Sequence, residues 1–105
     1  MPYTTEQIRQ RVTQAATAYN RSARPDARIV RVTLFGSYAD GRATDSSDVG
    51  LLVRFSAPVV SLLTLAETLE TMEEALNTSV DIVQDPMPED ALPVIDNRVP
   101  IYEAA

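Results

Sequence analysis

The stretch Leu34-Phe-Gly-Ser-Tyr-Ala-Asp-Gly-Arg-Ala-Thr-Asp-Ser-Ser-Asp-Val-Gly-Leu-Leu-Val53 decides the fold. It begins inside a run rich in β-branched and aromatic residues, Arg28 to Phe35, which reads as a strand. Gly36 to Ser47 holds two of the chain's three glycines and several small polar residues, so it reads as a loop with one helical turn. Val49 to Phe55 is a second strand, apolar on both faces and therefore central in its sheet. At Gly36-Ser37 the missing Cβ lets backbone N–H groups approach an anion. A helical turn starting at Ser37 would add free N–H groups and a hydroxyl, a cradle for phosphate. Asp48 follows twelve residues after Gly36 and opens the second strand. Side chains at 48, 50 and 52 share one face of that strand, so carboxylates at 48 and 50 would converge on a hard cation such as Mg²⁺. The chain has Asp48 but Gly50.

Upstream, Thr4-x-x-Gln7 has the form of a capping box. Ile8, Val12, Ala15, Ala16 and Tyr19 then fall on one helical face. Asn20 to Asp26, with Pro25, reads as a loop. Downstream, Pro58 breaks the second strand, and Ser61 caps a helix carrying Leu62, Leu65, Leu69, Met72 and Leu76 on one face, with Asn77 near its end. Val80 to Val83 is a short third strand. Asp85-Pro-Met-Pro88 forces a turn, Glu89 to Asp96 has room for one or two helical turns, and Val99 to Tyr102 forms a short edge strand or an extended tail around Pro100. With no repeat or linker, the expectation is one α/β (α+β) domain over residues 1–105, a small mixed β-sheet with helices.

Composition narrows the chemistry. The chain of 105 residues contains no Cys and no His, and all 9 of its basic residues are Arg. Thiol nucleophiles, His-bearing zinc sites, Ser-His-Asp triads and Lys Schiff bases are therefore excluded. Carboxylates, hydroxyls, Arg and backbone N–H groups remain, which suit hard cations and phosphates. Net charge is −6, against a general nucleic-acid binder. It divides unevenly: residues 1–54 carry 8 Arg and 5 acids, residues 55–105 carry 1 Arg and 10 acids. No apolar run approaches the ~20 residues of a membrane span, and no signal peptide is evident, so the cytoplasm is the expected compartment.

Gly36, Ser37, Ala39, Gly41, Ala43, Ser47 and Asp48 together resemble the minimal nucleotidyltransferases of the polymerase-β-like superfamily. Their pattern is a strand, Gly-Ser-x-Ala-x-Gly-x-Ala, then Ser-Asp-x-Asp and an apolar strand. The resemblance continues through the Leu-rich helix to Val80-Asp81-Ile82-Val83 and to the closing Val99-Pro-Ile-Tyr-Glu103. It implies the polymerase-β-like fold, ATP as substrate and Mg²⁺ as cofactor. In such a site Asp48 and Asp81 are the catalytic and metal residues, Gly36 and Ser37 hold the triphosphate, and Arg42 is a nucleotide-binding candidate beside Asp40, where many relatives carry a basic residue. Asp81 would help deprotonate the attacking hydroxyl, and two ions would clamp the attacking and leaving oxygens. Gly50 removes one of three carboxylates. Asp40 and Asp45 lack the strand position to replace it.

Each residue also has a plainer role. Gly36-Ser37 would serve as a simple turn, and Asp48 as a cap to its strand. Asp81 is harder to set aside, since a carboxylate between Val80 and Ile82 is costly if buried unpaired. Gly50 marks a bulge or close backbone approach, a degenerate site or an introduced substitution. Glu67, Glu70, Glu73 and Glu74 form either a solvated helix face or a partner surface.

Small proteins of the resembled kind are typically antitoxins of HEPN ribonuclease toxins, acting by AMP transfer onto a toxin tyrosine, by binding, or both. The chain leaves no room for an acceptor domain, so the acceptor would come in trans, within a hetero-oligomer and without direct nucleic-acid or membrane contact. The competing expectation is a catalytically degenerate binding module that masks a basic partner with its acidic half. Stand-alone transfer to a small molecule lacks an acceptor pocket in the sequence.

Overall fold

The computed structural model describes residues 2–85 and 97–104. The expected features between Pro86 and Asp96 lie outside the described residues. Helix α1 spans Thr5–Ser22, and Thr4 caps it as the spacing predicts: its side chain accepts from Gln7 N while the Gln7 side chain accepts from Thr4 N. The helix runs through Asn20 rather than ending before it. The cause is tertiary. Asn20 Nδ2 donates to Ile29 O at 2.9 Å and Ile29 N donates to Asn20 Oδ1 at 2.8 Å, so one amide side chain satisfies both backbone groups of that residue. A short 3-10 turn, Pro25–Ala27, leads into strand β1, Ile29–Phe35.

Strand β2 occupies Val49–Phe55, helix α2 Leu62–Leu76, strand β3 Val80–Asp85 and strand β4 Val99–Glu103. Ser61 Oγ accepts from Thr64 N at the start of α2, and Asn77 ends it in the left-handed region at φ 51. The sheet order is β3-β2-β1-β4. β2 is thus internal, as its two apolar faces predict, and lies antiparallel to β1 and parallel to β3. β4 takes the edge strand rather than the extended tail, antiparallel to β1, with a register shift where Pro100 interrupts the ladder.

Both helices cover one face of the sheet. Ile8, Val12 and Ala16 of α1 and Met72 and Leu76 of α2 pack against Ile29, Val32, Leu34, Val49, Leu51, Val53, Phe55, Val80 and Ile101. Strand alternation therefore turns Gly50, Leu52 and Arg54 to the opposite face, which neither helix covers. Leu62 departs from the expected inner face and is 85% exposed; Thr68, fully buried, lies in the core-facing stripe instead. Thr68 is accommodated because its hydroxyl donates back to Thr64 O at 2.8 Å.

Candidate functional site

The turn after β1 is built by three backbone bonds: Asp40 N to Gly36 O at 3.0 Å, Gly41 N to Tyr38 O at 3.4 Å and Arg42 N to Ser37 O at 2.9 Å. Gly36 and Gly41 adopt φ of 81° and 73°, and a Cβ at either would meet open space. Their requirement is backbone conformation rather than room. Tyr38, 9% exposed, belongs to the core, and Ala39 and Ala43 pack against it, so the motif's small residues seat the turn on the helix-covered layer. No backbone carbonyl of the described residues receives the N–H groups of Ser37, Tyr38 or Ala39. Such a turn presents unsatisfied donors to an anion.

Arg42 meets Asp40 at 2.8 Å, and Asn97 Nδ2 donates to the other Asp40 oxygen at 2.7 Å. The Arg42 hydrogen bond, then that of Asn97, hold the Asp40 carboxyl below its ordinary value of 3.8. A depressed carboxylate pKa favours the fold above the ordinary value and loses that contribution as pH falls through the lowered one. In a carbon-detected acid titration, Asp40 is expected to protonate below pH 3.8, and Arg42→Ala to move its midpoint upward. Asp40 is thus committed to Arg42 and Asn97, and Arg42 reaches the candidate nucleotide site already paired. Asn97 carried no sequence signal, because its role depends on β4 lying beside the turn.

Ser47 organises the approach to β2: its Oγ accepts from Thr44 N at 2.9 Å, and its N–H donates to Thr44 O at 3.0 Å. Asp48 follows, exposed, immediately before β2. Gly50 pairs with Asp81 in the parallel ladder and with Phe35 in the antiparallel one. Residues 50 and 81 thereby share the face that the two helices leave uncovered. Asp81 is exposed, not buried, so the burial cost expected from its apolar neighbours does not arise. Its register opposite Gly50 is what sets it apart.

Phe35 is the neighbour that sequence reasoning missed. A Cβ on Gly50 would stand 2.9 Å from Phe35 Cε2, Cζ and O. Real Cβ atoms do not approach so closely. The aromatic ring closes over the glycine, taking the space from which a side chain at 50 would emerge. Among the described residues no group of three or more Asp, Glu, His or Cys is placed to hold a metal ion. Asp48 and Asp81 alone do not fit the two-ion arrangement that three carboxylates provide.

A sheet covered by helices on one face, with a Gly-Ser turn, an aspartate just before β2 and Asp81 of β3 turned to the other face, has the architecture of a nucleotidyl-transfer domain. The family model for polymerase beta nucleotidyltransferases matches residues 20–100. The protein adenylyltransferase MntA of Thermococcus cleftensis is 37% identical over 67 residues, 64% of this chain and 67% of that protein. A solved structure described as a minimal nucleotidyltransferase is 34% identical and superposes with a TM-score of 0.60, over 78% of each chain. The complex of a tri-AMPylated Shewanella oneidensis HEPN toxin with its MNT antitoxin contains a chain that matches at 17% identity and TM-score 0.63. That match covers 96% of this chain and 74% of the other and shows the shared fold. The chain belongs to the polymerase β nucleotidyltransferase family, in its minimal nucleotidyltransferase branch. No helix among the described residues is long and apolar enough to cross a membrane.

Proposed function

We propose that this chain is the antitoxin of a HEPN ribonuclease toxin and neutralises it by direct binding, with AMP transfer from ATP to a toxin tyrosine reduced or lost. The observation that carries the binding mode is Gly50 beneath Phe35, which leaves Asp48 and Asp81 without a third carboxylate. The antitoxin role is supported by similarity to an MntA adenylyltransferase and to the minimal nucleotidyltransferase structure. A nucleoside triphosphate still finds donors at the Gly36–Ser37 turn, with Arg42 at the end of the same turn. The transferring mode rests on the retained Asp48 and Asp81.

Coexpression with a HEPN protein encoded in the same genome, followed by intact mass measurement of that protein, tests the function. Growth should be rescued with the toxin at its unmodified mass, and Asp48→Ala and Asp81→Ala should rescue equally well. An AMP adduct on the toxin, lost in Asp81→Ala, would overturn the binding mode. Continued toxicity with both proteins present at equal levels would overturn the antitoxin role itself.

A further inference from the structure

The outer surface of α2 has a composition that the nucleotide site does not explain. Its inner stripe is Thr68, Met72 and Leu76, all fully buried. At its start, Val59 is 78% exposed, Leu62 85% and Leu63 69%. Single exposed apolar residues are ordinary; three large ones within five positions make a patch. Continuing from Leu63, exposed Glu67, Glu70 and Glu74 follow at intervals of four, three and four residues, the spacing that lines side chains along one helix face. No ion pair among the described residues engages these three glutamates. α2 contains no basic residue at all.

Beside this row runs a groove of about 370 Å³ between α2 and the end of α1, with Tyr19, Arg24 and Thr64 on its walls together with the glutamates. The Arg24 guanidinium there faces Asp26 at 3.7 Å. Glu70 and Glu74 repel across one turn, a small cost to the helix that an incoming cation would reverse.

We infer that this face is the docking surface for the toxin, through a segment carrying apolar side chains followed by Lys or Arg at helical spacing. The inference rests on the antitoxin reading and adds where contact is made and by what chemistry. The apolar end supplies the area removed from water. The glutamate row supplies the orientation and a salt-dependent encounter rate, as charge complementarity does at interfaces.

The test measures the affinity of the full chain for the purified HEPN toxin at low and high salt. One variant set is Leu62→Ser with Leu63→Ser. A second is Glu67→Gln, Glu70→Gln and Glu74→Gln together. The control neutralises three acids away from this groove, Glu6→Gln, Asp45→Asn and Glu103→Gln, for the same change in net charge. All replaced side chains are exposed, and thermal midpoints check folding. Each α2 set should weaken binding about tenfold or more, and the glutamate set should also flatten the salt dependence. The control should change affinity less than about threefold. Wild-type affinity in both α2 sets would overturn the surface while leaving the antitoxin reading intact. Equal weakening by the control and the glutamate set would reduce the effect to net charge and overturn it too. No binding by the wild-type chain would overturn both.

Discussion

Gly50→Asp is expected to lower stability and to raise AMP transfer to the toxin from background to a readily measured level. The two effects share one cause. The new Cβ would arrive 2.9 Å from two carbons at the end of the Phe35 ring and from the Phe35 carbonyl oxygen. The ring can turn about its side-chain torsions, whereas the carbonyl belongs to strand β1 and yields only through backbone adjustment. Overpacking of this kind costs about 1–3 kcal/mol. In a domain of this size each 1 kcal/mol lowers the thermal midpoint by about 4–8 °C.

Once the ring has turned, the carboxylate stands across the ladder from Asp81 and two residues along the chain from Asp48. A set of three acids then meets the requirement that two alone do not. Gly50→Ala separates the contributions, because it brings the same Cβ without the charge. It should lose stability and gain no transfer. Mg²⁺ should raise the midpoint of Gly50→Asp and leave that of Gly50→Ala unchanged, since only a site that binds in the folded state stabilises by mass action. A Gly50→Ala protein as stable as wild type would refute the steric account.

Leu51→Ala is expected to give the largest loss of stability. Leu51 is fully buried on the helix-covered face of β2, between Leu34 of β1 and Ile82 of β3 in the ladders. Truncating such a leucine removes transfer energy and leaves a cavity, about 2–5 kcal/mol in all. Against a total stability of about 5–15 kcal/mol for an ordinary domain, that is a large fraction. The midpoint should drop by about 10 °C or more, and the urea slope should stay unchanged if only the native core is affected. The loss reaches the site as well, because the next residue toward the strand's start is Gly50, whose register with Asp81 depends on β2 and β3 staying aligned.

Much of this architecture was legible from local chemistry. The Thr4–Gln7 box, the Ser61 cap and the Asn77 terminus each depend on residues within a few positions of one another. β2 was fixed by an apolar run closed by Asp48 and broken by Pro58. Three features escaped because they depend on partners distant in sequence. α1 continues past Asn20 because its side chain serves the backbone of Ile29. Leu62 has the spacing of the inner face, but the core beneath α2 begins only at Leu65. The meaning of Gly50 required the β1–β2 register, which places Phe35 opposite it. The roles proposed for Asp48 and Asp81 rest on family resemblance, and the activity measurements above are what test them.

The edge position of β4 carries a kinetic consequence. β1 pairs with β2 after a short connection but meets β4 across about 70 residues of chain, from Arg31 to Glu103. The entropy of closing so long a loop delays that pairing relative to the local ones. β4 should therefore join the sheet last and leave it first, and its amides should exchange with solvent ahead of those in β2. Asn97, two residues before β4, donates to Asp40 at the Gly36–Arg42 turn. The turn thus gains this restraint only in the closing event of folding, and a nascent chain would acquire its finished Gly36–Arg42 loop after the rest of the sheet is in place.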